Sequence, residues 1–167
     1  MRFSPLVLVF GLAASSMAGP GVSQRPDDQI APKSVALLKQ GEASAAAGKY
    51  VEADDAFETA LAVDPRNRAA FVAMARVASK QKLYGQAIRY TNRALLLEPT
   101  DRSAFAVQGE AMVELGALGK AKDVLTKLQA VCTAGCPEAT SLSAAIARGP
   151  TMAAAKQIGR ASCRERV

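Results

Sequence analysis

Residues 50–65 read YVEADDAFETALAVDP, and the fold turns on this stretch. Val51, Ala53, Ala56, Phe57, Ala60, Leu61 and Val63 mostly recur at i, i+3, i+4 spacing, which lines up one face of a helix. Pro65 cannot continue that helix, and it biases Asp64 toward an extended backbone. The same stop returns 34 residues later as Glu98–Pro99. Ala53, Ala87 and Ala121 keep this interval, as do Tyr50, Tyr84, Leu118 and then Ala60, Ala94, Leu128. Upstream of each such helix, Leu37, Phe71, Phe105 and Gly41, Ala75, Gly109 recur in the same phase. A period of this length marks a small unit that cannot bury its apolar face alone and must stack on copies of itself.

Within each period the pattern predicts two helices. They are expected at about residues 33–47 and 50–62, 68–81 and 84–97, then 102–115 and 118–131. Gly48 and Gly116 fall midway through their units, where a short turn between antiparallel helices needs a permissive backbone. Asn67 or Asp101 is placed to cap the helix that follows. After the third unit, PEATSLSAAIARG offers Pro137 at a first turn, Glu138 near the positive end, Arg148 near the negative end and Gly149 as a stop. Residues 137–148 are thus expected to form a helix that covers the last unit.

This pattern resembles the tetratricopeptide repeat (TPR). The family signature places a large apolar residue early in the first helix, met by Leu37, Phe71 and Phe105. A small residue follows four places on, met by Gly41, Ala75 and Gly109. Ala53, Phe57, Ala60 and Pro65 supply the second-helix signature in the first unit. The second unit departs at Thr91, where an aromatic is expected, and the third has Leu125 and Leu128 with no Pro in phase. The resemblance covers residues 34 to about 135. It implies an all-α, right-handed solenoid of three helical hairpins (34–67, 68–101, 102–135) with a C-terminal capping helix, a domain spanning residues 32–148.

Composition agrees with close-packed helices. Half the residues are apolar but only 5% are aromatic, so alanine, the best helix former, dominates the apolar set. The chain has no His, which removes imidazole general bases, Ser-His-Asp and Cys-His nucleophile systems and every His-containing metal site. No enzyme activity, cofactor or metal is expected.

The N-terminus, MRFSPLVLVFGLAASSMAGP, has Arg2, an apolar run from Leu6 to Ala14, and small residues up to Ala18. This is the layout of a secretory signal peptide cleaved after Ala18, and the run is too short to span a bilayer. Residues 19–31 read as a flexible leader. At the other end, Ile158–Val167 (IGRASCRERV) resembles, residue for residue, one reading frame of the adapter ligated to fragments in short-read sequencing. These residues are therefore read as non-native, after a tail at 149–157. Without the signal peptide and these residues, the net charge of +6 falls to +3, too weak and scattered to argue for nucleic acid. A periplasmic or secreted protein is expected, with no stable membrane span once the signal is removed.

Cys132 and Cys136 bracket the junction between the third unit and the covering helix. In an exported protein a close pair reads most simply as a disulfide. The CTAGCP stretch also resembles the C-x3-C-P motif of the copper-handling Sco family, which implies redox or copper chemistry, and two free thiols remain a third reading.

The TPR resemblance also implies a concave surface made by the first helix of each hairpin, where a peptide or partner helix binds. By phase, the inward positions include Leu38, Glu42 and Ala45, then Val72, Arg76 and Ser79, then Ala106, Glu110 and Val113. Glu42, Arg76 and Glu110 share one repeat position and make an acid–base–acid row. The Lys/Asn/Arg set with which co-chaperone relatives read a C-terminal carboxylate is missing, so a carboxylate clamp is not expected. The row either reads a polar-flanked apolar segment or is a solvated wall of ion pairs. The expected function is a non-catalytic adaptor for a protein or peptide in the cell envelope. The alternatives are a thiol-redox or copper-handling protein using Cys132 and Cys136, and a self-assembling, homodimeric envelope component.

Overall fold

The computed structural model describes residues 29–132 and 135–151. The expected signal peptide, most of the expected leader and the adapter-like residues lie outside the described residues. Among the described residues the structure is wholly helical: α1 (Pro32–Ala46), α2 (Tyr50–Val63), α3 (Arg68–Lys80), α4 (Tyr84–Leu97), α5 (Arg102–Glu114), α6 (Leu118–Val131) and α7 (Pro137–Arg148). Each lies within a residue of the span that the apolar periodicity predicts.

The stops act as their chemistry dictates. Asp64 and Glu98, each ahead of a proline, are extended (φ −146° and −140°). Asn67 accepts from Ala70 N and Asp101 from Ala104 N, so both cap the helix that follows. The turns inside the hairpins all need a left-handed residue. Gly48 (φ 75°) and Gly116 (φ 74°) provide it without strain, whereas the middle hairpin forces Lys82 to φ 62° at the same repeat position.

The helices pair as hairpins α1–α2, α3–α4 and α5–α6, and α1, α3, α5 and α7 also touch in sequence to form one wall. The core has three clusters, each joining one hairpin to the first helix of the next. Leu38 and Phe57 meet Met74 and Val77; Val72 and Ala94 meet Val107; Phe105 and Leu128 meet Leu142. A single hairpin would leave half of such a cluster in water. α7 closes the third cluster in place of a fourth repeat, and Leu142 is fully buried there.

Close approach explains the small residues. A Cβ on Gly41 would sit 2.4 Å from Phe57 Cε1, and one on Gly109 2.5 Å from Leu142 Cδ2. In the middle unit, Ala75 occupies the glycine position and the buried Thr91 replaces the aromatic. The larger residue on one helix is matched by a smaller one on the other, as close packing requires. Thr91 Oγ1 donates to Ile88 O at 3.0 Å, so its hydroxyl is satisfied.

Cys132 and Cys136 form a disulfide with Cα atoms 5.8 Å apart, within the normal span of such a bridge. It ties the end of α6 to the residue before α7. No helix among the described residues is long and apolar enough to cross a membrane.

Candidate functional site

The inward wall made by α1, α3, α5 and α7 carries three clefts. The first, about 260 Å³, lies between α1 and α3. Its floor is apolar, with Phe57, Ala73 and Val77, and Glu42, Arg76 and Lys80 stand at its edge. The second, about 330 Å³, runs from Arg76 past Ala106 and Glu110 to Glu138 and Ser141 on α7. The third, about 370 Å³, lies toward the C-terminal ends of these helices and is bordered by Lys80, Tyr84, Glu110, Glu114 and Arg148.

The structure brings together Glu42, Ala45 and Arg76 at the first cleft, and Arg76, Ala106 and Glu110 at the second. Leu38, Val72 and Val113 are not on the wall: each is at most 9% exposed and packs in the core. The reason is steric. Leu38, Val72 and Ala106 share one repeat position, at the seam between consecutive first helices. A branched side chain there is drawn into the seam and buried, whereas Ala106 is too short to fill it and leaves a cleft.

The solvated-wall reading required Arg76 to bridge its acidic neighbours. Among the described residues the ion pairs are Asp64–Arg66 and Arg68–Asp101, both at the junctions between repeats. Arg76 pairs with neither Glu42 nor Glu110. Glu110 instead accepts from Ser141 Oγ at 3.3 Å, and Glu114 from Thr151 N and Oγ1 at 3.1 and 2.8 Å.

Phase from one row did not reveal the second charged row. Lys80, Glu114 and Arg148 lie 34 apart and one helical turn beyond the first row. All three border the third cleft. Burial, and then the charge of Glu114, raises the Tyr84 phenol above its ordinary value, so this residue stays neutral and able to donate. Among the described residues no three His, Cys, Asp or Glu side chains converge as a metal site would require.

Residues 37–110 match the tetratricopeptide repeat family. Within those residues the helical hairpins carry the tetratricopeptide repeat. The first TPR of Spaghetti (RPAP3), solved bound to the HSP90 peptide SRMEEVD, is 25% identical, with a TM-score of 0.63 over 70% of this chain and 91% of that one. The second TPR domain of human RPAP3, in complex with the HSP70 peptide SGPTIEEVD, is 25% identical, with a TM-score of 0.61 over 68% of this chain and 94% of that one. The TPR2B domain of yeast Sti1 in its pHsp70 complex reaches a TM-score of 0.65 at 15% identity, over 71% of this chain and 98% of that one, a likeness of fold. No curated protein sequence matches the chain.

Proposed function

We propose that this TPR array is a non-catalytic adaptor that binds a short protein segment along the wall of α1, α3, α5 and α7, in the cell envelope. The observation that carries this reading is the first cleft, where an apolar floor is rimmed by charges that have no ion-pair partners among the described residues. Such a site suits one apolar side chain flanked by polar groups. The peptide complexes of the RPAP3 relatives support it, since those peptide-binding domains share this fold of helical hairpins. Export rests on the signal-peptide layout of residues 1–18. The disulfide has a structural role in this reading, fixing α7 over the last repeat.

The test is affinity capture from the envelope fraction of the source organism, with Arg76→Glu and Ala45→Trp variants run beside the parent chain. The partner should be retained by the parent and lost by both variants, one reversing a rim charge and the other filling the first cleft. Equal retention by all three would remove the wall as the binding site.

A further inference from the structure

If the wall binds a short segment as proposed above, its charges specify which segment. The first cleft is apolar at its floor, with Phe57, Ala73 and Val77, and charged only at its rim. At about 260 Å³ it is smaller than a pocket for a whole small molecule, and it takes one large side chain. The rim carries both signs. Glu42 stands on the α1 side, while Arg76 and Lys80 stand on the α3 side. Arg76 also borders the second cleft, which turns acidic beyond it through Glu110 on α5 and Glu138 on α7. A chain crossing the wall from α1 to α7 thus meets an anion, an apolar floor, two cations and then two anions.

The remaining charges lie at the two edges of this path. Toward the C-terminal ends of the helices, Lys82, Glu114 and Arg148 border the third cleft, which Lys80 and Glu110 also reach. Toward the N-terminal ends, Arg68, Glu98, Asp101 and Arg102 border a fourth cleft of about 310 Å³. Arg68 is neutralised there by Asp101. Arg102 shares that cleft with Glu138 and partly offsets it, so Glu110 is the stronger anion of the second cleft. Glu110 is exposed, and the Ser141 hydroxyl that donates to it at 3.3 Å leaves its charge uncompensated. Among the described residues Glu42, Arg76, Lys80 and Glu110 take part in no ion pair.

We propose that the wall reads a segment in which a large apolar, an acidic and a basic residue come in that order. The apolar side chain fills the first cleft. The acidic residue lies over α3 against Arg76 and Lys80, and the basic residue lies over α5 against Glu110. Helix spacing sets the separations. With helices about 10 Å apart, the middle of the first cleft is roughly 5 Å from α3 and roughly 15 Å from α5. An extended chain advances about 3.3 Å per residue, so the acid falls one or two places from the anchor and the base four or five. On the far side of the anchor Glu42 repels an acid, which disfavours apolar residues with acidic flanks on both sides. A segment with its two charges exchanged sets base against Arg76 and acid against Glu110, and is disfavoured more strongly. The order is set across the wall, whichever way the segment runs.

The experiment screens the purified chain against a display library of random ten-residue peptides. Enriched peptides should carry a large apolar residue with an acid one or two places away and a base four or five away on the same side. Arg76→Glu with Lys80→Glu should bind those peptides about tenfold or more weakly, and should itself enrich a base where the parent enriches an acid. Glu110→Lys should exchange the distal base for an acid. The altered side chains are all exposed, so helical circular dichroism should be unchanged. Peptides enriched without this order, or an order that the variants leave unchanged, would overturn the proposal and leave the adaptor reading standing. Enrichment of no peptide would remove the adaptor reading together with it.

Discussion

Asn67 Nδ2 donates to Ser34 Oγ at 2.8 Å, which clasps the last residue of the first repeat to its first. Ser34 Oγ passes the bond on to Ala60 O at 2.7 Å, and Asn67 Oδ1 caps α3. One repeat further on, Arg68 and Asp101 occupy the same two positions and form an ion pair, while Asp101 caps α5. The third repeat has Arg102 and Gly135 there, with no acceptor, and the disulfide stands at that junction instead. Three chemistries thus close three equivalent junctions.

The clasp is expected to be cooperative. Asn67→Ala removes both the cap and the bond to Ser34, and should cost about 1–2 kcal/mol in urea denaturation. Ser34→Ala leaves the buried Asn67 amide short of an acceptor, so a double-mutant cycle should show coupling between them. Simple additivity would show that the clasp is incidental.

Packing at the glycines gives a second outcome. Gly109→Ala should destabilise by about 1–3 kcal/mol through overpacking against Leu142. Leu142→Ala alone should cost about 2–5 kcal/mol by opening a cavity under α7. Together they should cost less than their sum, because the new methyl enters the space vacated by the leucine.

The middle turn can be improved. Lys82→Gly should raise stability by about 1 kcal/mol, since among the described residues only the lysine holds a left-handed backbone without being glycine. Gly48→Ala should lower it by a similar amount, and nothing lies within 4 Å of its added Cβ to confuse the comparison. Thermal unfolding of both variants checks the pair.

Acid should act through Asp64. The Arg66 side chain, and then the Ala31 N–H, hold its carboxyl at about 2, below the ordinary 3.8. Because the folded value is depressed, its stabilisation is complete above the ordinary range and is lost as pH falls from 3.8 through about 2. Denaturation midpoints of the parent chain should drop across that window more steeply than those of Asp64→Asn. Parallel profiles would exclude Asp64 as the cause.

Reduction of the disulfide should be mild. The bridge spans only four residue steps, so it restricts the unfolded chain little, and Cys132→Ser with Cys136→Ser should cost about 2 kcal/mol at most. Hydrogen exchange should then quicken first in α7, whose attachment loses its covalent tie.

The sequence by itself determined the helices, their order and the repeat. Periodicity, proline stops and capping side chains are local, and they act through the backbone of the residues that carry them. Asn67, Asp101, Gly48 and Gly116 were legible for that reason. Tertiary structure decided which inward positions remain open. Leu38 and Val72 share a repeat position with Ala106, yet only the alanine borders a cleft, because burial depends on how far a side chain fills the seam with the next helix. The same holds for charge. The sequence placed Glu42, Arg76 and Glu110 in one row, but only the distances between packed helices left them without ion pairs among the described residues, and so available to a partner.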